Sequence, residues 1–157
     1  MNILTIRDRI AYVAAVDSVL QVFTKSLTSG VATQITHDKQ ACLNPAWSPD
    51  GTRIYYLTGT RPNGSLQSIA VAGGPFERVL DRVSQADLSP DGKTMAVIVC
   101  DPAGRYRPAF SSPPGAAPQF YAQAPLSELT NSAVVFCSFG KIDSESTTLK
   151  ERVNLSP

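Results

Sequence analysis

The tetrapeptide Ser-Pro-Asp-Gly occurs twice, at Ser48–Gly51 and at Ser89–Gly92, and its interval of 41 residues constrains the fold more than any other feature of the chain. Each copy follows a bulky apolar residue, Trp47 or Leu88, and precedes a β-rich run, "TRIYYL" or "KTMAVI". Proline pre-sets the backbone angle of a turn, aspartate bonds its own local backbone, and glycine takes the left-handed conformation that bulky residues avoid. Pro49, Asp50 and Gly51, and again Pro90, Asp91 and Gly92, are therefore structural turn residues that join two antiparallel strands. Spelled twice at one interval, the corner marks the same hairpin in consecutive sheets, with Trp47 and Leu88 expected to point into the core between them.

Three units follow from that spacing, at about 8–37, 41–82 and 83–123. The second reads as four short strands, "CLNPAW", "TRIYYLT", "LQSIAVA" and "FERVL", separated by "SPDG", "GTRPNG" and "GG". The third reads "SQADL", "KTMAVIVC", "RYRPAFSS" and "PQFYAQA". The first shows only three, "RIAYVAAV", "VLQVFTKSL" and "ATQIT", and is expected to lack both the opening strand and the corner. The division is thus residues 1–123 as repeats and 124–157 as an irregular extension or a truncated further unit. In that extension "SAVVFCSFG" (132–140) predicts a strand, and "ESTTLKERV" (145–153) a short helix with Thr148 and Glu151 at capping-box spacing. The final "NLSP" copies Leu88-Ser89-Pro90.

Composition excludes several classes. With 157 residues, 43% of them apolar, the chain can bury a real core, and a net charge of +1 with both signs scattered gives no reason to expect a nucleic-acid partner. "GRYR" at 104–107 is read as a solvated strand edge and not as a base-stacking platform. Cys42, Cys100 and Cys137 are odd in number, widely spaced and flanked by apolar residues, so they are expected to be small buried hydrophobes and not zinc ligands or a redox pair. The apolar run 10–23 is interrupted by Asp17 and is too short to span a membrane, so the chain is expected to carry neither a secretory signal nor a membrane-inserted helix.

Catalytic signatures are likewise missing from the sequence, and no catalytic residue, metal site or cofactor is expected. There is no Gly-x-Ser-x-Gly, since "FCSFG" has Phe136 at the first glycine position, and the one histidine, His37, is expected in a surface loop. Gly73-Gly74 end a strand and do not open a phosphate-binding helix. Asp50 and Asp91 sit at equivalent corners of different units, which gives each a turn-forming task and argues against a paired-carboxylate site. Two sequons, at Asn63 and Asn154, have meaning only in a secretory eukaryotic setting.

Four strands per unit, the period near 41 and the "WSPDG" and "LSPDG" corners resemble the TolB-type, WD-like β-propeller repeat over residues 8 to 123, most closely over 46–80. The resemblance implies an all-β fold, a partial propeller of four-stranded antiparallel blades with about three legible units. Rings of this type have about six blades, so the chain is expected to be a fragment of a longer propeller or to close by association with another chain. It also implies a non-catalytic module for protein or peptide partners, or else the accessory propeller of an oligopeptidase or a membrane-tethered Ser/Thr kinase. No nucleic acid or direct membrane insertion is expected, and open sheet edges allow self-association. A bacterial, periplasmic or extracytoplasmic setting would fit a longer parent gene. Polar residues on the innermost strands, Asn44, Ser84 and Gln85, are the binding candidates, placed toward the channel or its rim.

Overall fold

The computed structural model describes residues 4–6 and 8–121, and within them twelve strands form three separate four-stranded antiparallel sheets. The first contains β1 (Leu4–Ile6), β2 (Arg9–Val16), β3 (Val19–Ser26) and β4 (Ala32–Gln34). The second contains β5 (Cys42–Trp47), β6 (Arg53–Thr58), β7 (Ser65–Ala70) and β8 (Glu77–Asp81). The third contains β9 (Val83–Leu88), β10 (Met95–Cys100), β11 (Tyr106–Ser111) and β12 (Gln119–Phe120). Within every sheet the strands lie in chain order, so each sheet is a meander built from local turns.

The corner at Pro49 joins β5 to β6 and the corner at Pro90 joins β9 to β10, the same place in two different sheets. The first sheet departs from expectation, because β1 supplies an opening strand and pairs Leu4, Thr5 and Ile6 with Ala11, Ile10 and Arg9. The sequence concealed it: β1 has three residues and returns through charged residues around Asp8 with neither proline nor glycine to mark the turn. At the other end, the strand expected over 118–124 is seen among the described residues at Gln119–Phe120, and its residues 122–124, the strand at 132–140, the helix at 145–153 and Cys137 lie outside the described residues.

Strand alternation sends successive side chains to opposite faces, and the middle sheet buries both. Ile54 and Tyr56 join Cys42 and Ile69 in a cluster with Ala11, Val22 and Ile35 of the first sheet. One residue out of phase, Leu57 joins Leu66 and Leu80 in a second cluster with Val83, Met95, Val97, Val99 and Ala109 of the third sheet. Trp47 packs partly buried against the first cluster and Leu88 against the second, as their place before the corner predicts. Accordingly Leu66–Ile69 of β7 are all buried, whereas β10 alternates buried and half-buried from Met95 to Val99.

The sheets therefore stack side by side in chain order, each packed on the next. Cys42 and Cys100 are free and buried, 0% and 1% exposed, which fits their reading as small core residues. Tyr56, 2% exposed, spends its hydroxyl on Gln67 Oε1 at 2.9 Å, so the polar end of a large core side chain is satisfied inside the sheet.

Candidate recognition face

The two repeated corners are built from one hydrogen-bond plan. Ser48 Oγ donates to Asp50 Oδ1 (2.6 Å) and accepts from the Arg53 amide (2.9 Å), while Asp50 Oδ1 accepts from the Thr52 amide (3.0 Å). In the third sheet Ser89 Oγ donates to Asp91 Oδ1 (2.6 Å) and accepts from the Thr94 amide (3.0 Å), and Asp91 Oδ1 accepts from the Lys93 amide (3.0 Å). The Ser48 hydroxyl, with the Thr52 amide and hydroxyl, holds the Asp50 carboxyl at about 2, well below the usual carboxylate range. The Ser89 hydroxyl and the Lys93 amide lower Asp91 in the same direction. These carboxylates are ionised acceptors inside turns.

The corners also touch one another. Gly92 has φ +71°, and a Cβ built there would lie 2.7 Å from Cγ and 3.8 Å from Cβ of Pro49. Glycine at this point thus serves both the backbone angle and the close approach of the neighbouring sheet's proline. A third turn, Asp101 to Arg105, uses aspartate alone: its Oδ1 accepts from the Ala103 and Arg105 amides, both at 2.9 Å, and its Oδ2 from Arg105 Nε at 3.1 Å. The Arg105 amide leads the set of bonds that lowers the Asp101 carboxyl.

Antiparallel meanders put the loops at two opposite ends of the stack. One end carries the Ser-Pro-Asp-Gly corners with the loops 27–31, 71–76 and 112–118. The other carries the Asp17-Ser18 turn, loops 59–64 and 101–105, and the inter-sheet connections 35–41 and Arg82. Both connections are pinned. Gln21 donates from Nε2 to Asp38 O (2.8 Å) and accepts at Oε1 from the Thr36 hydroxyl (2.8 Å) and the Asp38 amide (3.1 Å), and Thr36 Oγ1 accepts from the Val22 amide (2.8 Å). Arg82, at φ +58°, donates from Nε to Cys100 O (2.8 Å) and from Nη2 to Asp101 O (2.7 Å). Sequence reasoning missed both sets, since a lone Gln or Arg has no motif around it, and it missed the Asp101 turn as well, although Asp101-Pro-Ala-Gly has the composition of an Asx turn.

The binding candidates all lie on first strands. Asn44 is exposed on β5, adopts φ +50°, and sits where the pairing of β5 with β6 slips between Leu43 and Ala46. Gln85 occupies the corresponding place on β9, four residues before its serine corner as Asn44 is before Ser48, and is half-buried. Ser84 falls in an irregularity of β9 one residue before the place that corresponds to Asn44, where pairing with β10 shifts between Ile98 and Val99, and its hydroxyl donates to Ile98 O at 3.4 Å. β5 and β9 thus each carry one ladder irregularity, opposite Tyr56 in the first case and between Ile98 and Val99 in the second, with polar residues at or beside it and Asn44 in the left-handed conformation that its short amide tolerates.

Other candidates resolve into structural roles. His37 is exposed in the connection after β4. Burial first, against the Thr36 and Thr58 hydroxyls, raises the Cys42 thiol, so it remains protonated at neutral pH. The edge expected at "GRYR" is partial: β11 is flanked by β10 and β12, but β12 reaches only Ala109 and Phe110. The Arg107 guanidinium lies 4.6 Å from the Phe120 ring centroid, and that of Arg61 lies 5.4 Å from Tyr106 across two sheets. Among the described residues no helix is long and apolar enough to cross a membrane, and no group of three or more His, Cys, Asp or Glu is placed to hold a metal ion.

No family model matches the sequence. Over 65 residues the chain is 31% identical to an uncharacterized protein of Agrobacterium fabrum, a match spanning 41% of this chain and 22% of that one. In three dimensions the chain is similar to a protein designated TolB from Agrobacterium tumefaciens, with TM-score 0.63 and 22% identity, over 72% of this chain and 44% of the other. It is similar as well to the β-propeller domain of the Trilobed protease from Pyrococcus furiosus, described as having an open velcro topology (TM-score 0.60, 11% identity, 80% of this chain and 42% of that one). A further match is to a nidogen/laminin complex structure, at TM-score 0.58 and 13% identity, over 75% of this chain and 45% of the matched chain. The chain spans less than half the length of these solved proteins. What they share with it is the fold: the three sheets are consecutive blades of a TolB-like β-propeller, an all-β partial ring.

Proposed function

We propose that these TolB-like propeller blades form a non-catalytic module that binds a protein or peptide segment along the first strands, at the level of Asn44, Ser84 and Gln85. The observation that carries the reading is that the first strands β5 and β9 each carry a ladder irregularity, where regular strand pairing is interrupted, at or beside these polar side chains. Backbone that is not committed to its own sheet is what an extended peptide recognises. Further support comes from the perturbed ionisable groups: Asp50, Asp91 and Asp101 are held by turn hydrogen bonds and Cys42 by burial, so each shift has a structural cause. The matched structures include a nidogen/laminin complex, a propeller-like fold engaged with another protein.

A peptide selected from a random display library against the chain tests this. Asn44→Gly, which removes the amide and keeps the left-handed backbone, and Gln85→Ala are each expected to weaken its binding about tenfold while circular dichroism shows the fold retained. Full affinity in both variants would contradict the assignment of this level of the fold. A second reading is favoured by the likeness to the propeller domain of a protease: the blades then serve as the accessory part of a peptidase or kinase whose catalytic domain lies in another segment, and the same face would meet that domain.

A further inference from the structure

We propose that Asn63 is a site of spontaneous covalent modification, where the Gly64 backbone nitrogen attacks the side-chain amide and the loop between β6 and β7 is rewritten as aspartate or isoaspartate. The step needs only water. The Gly64 N–H loses its proton to solvent base, the nitrogen bonds to Asn63 Cγ, and the Cγ–Nδ2 bond breaks with release of ammonia, leaving a cyclic succinimide. Water then adds to either ring carbonyl. Opening at Cγ gives aspartate, and opening at the main-chain carbonyl gives isoaspartate, whose backbone is longer by a methylene. No enzyme takes part, so the site requires no secretory setting, unlike the sequon that Asn63 also heads.

An Asn or Asp side chain precedes glycine at Asp50-Gly51, Asn63-Gly64 and Asp91-Gly92, and glycine obstructs the attack least because it has no Cβ. The structure separates these places. At the two corners the attacking nitrogen is already committed, since Gly51 N–H donates to Ser48 O at 2.9 Å and Gly92 N–H to Ser89 O at 2.8 Å. Their electrophiles are poorer as well, because both are ionised carboxylates held by serine and backbone donors. Among the described residues the Gly64 amide makes no such bond, and the Asn63 side chain, exposed in its loop, accepts and donates none. Asn44 precedes Pro45, whose nitrogen has no proton to lose.

The position of Gly64 determines what the product disturbs. Gly64 O accepts from the Val83 amide at 2.9 Å, and a Cβ built at Gly64 would lie 2.6 Å from Val83 O. Gly64 is thus stitched against the first residue of β9, where the second blade leads into the third. A methylene inserted immediately before it meets that close contact and loosens the link, whereas aspartate adds charge and keeps the spacing.

Peptide mass spectrometry of the folded full chain, incubated in mildly alkaline buffer, tests the site. The peptide holding Asn63 is expected to gain about 1 Da, the exchange of NH2 for OH, with isoaspartate in part of the product and none at Asp50 or Asp91. Asn63→Gln is expected to abolish the gain. By hydrogen exchange, the Val83 amide is expected to lose protection in the isoaspartate fraction and to keep it in Asn63→Asp. An Asn63 that keeps its mass in the folded chain under conditions that convert the guanidinium-unfolded chain overturns the proposal. So does isoaspartate forming at Asp50 or Asp91 as fast as at Asn63, or unchanged Val83 protection in the isoaspartate fraction.

Discussion

Asp50 illustrates how a single side chain can look catalytic and be structural. Its carboxyl is lowered from an ordinary 3.8 to about 2 by the Ser48 hydroxyl first and then by Thr52, and Asp91 repeats the plan with Ser89 and Lys93. A carboxylate whose folded-state value is depressed adds stability above its unfolded value and loses that contribution as pH falls through the folded one. Denaturant midpoints of the wild type are therefore expected to decline between about pH 4 and pH 2, and Asp50→Asn should begin lower at neutral pH and decline less over the same window. Equal slopes in the two proteins would show that the corner does not hold the charge. Both aspartates were legible as turn residues because proline and glycine flank them. Asn44 was legible only as a polar interruption; its φ of +50° depends on the slip in pairing with β6, a tertiary property that no local motif encodes.

Among the elements, the second and third blades could be read strand by strand, since each is bounded by glycine, proline or asparagine and enriched in β-branched and aromatic residues. β1 was not readable, because three residues carry no period and its turn has no punctuating residue. The partial edge at β11 was hidden for a related reason: the length of β12, two residues, is set by where its neighbour stops pairing and not by its own sequence. Burial then distinguishes strands of equal composition. Leu57 in β6 is covered by the third blade, whereas its equivalent Ile98 in β10 is half-buried on a face against which no other described blade packs. Leu57→Ala is expected to cost about 3 kcal/mol of unfolding free energy, and Ile98→Ala about 1 kcal/mol. Equivalent costs, measured by chemical denaturation, would mean that the blades do not pack on one another as described.

For the whole molecule, the account depends on consecutive meanders set side by side about a shared axis, with equivalent corners in contact. That arrangement was foreseeable from the 41-residue interval, whereas which face of each strand meets which neighbour is visible only in the packing of the middle blade. The contact between the corners offers the most direct check, because Cβ of Pro49 lies 3.8 Å from a Cβ built at Gly92, within the usual separation for a disulfide. The double variant Pro49→Cys, Gly92→Cys, oxidised at low protein concentration and mapped by non-reducing peptide mass spectrometry, is predicted to yield one intramolecular peptide pair joining the two corners. Free thiols at both positions in the folded protein, or links formed only between chains, would contradict the side-by-side blades.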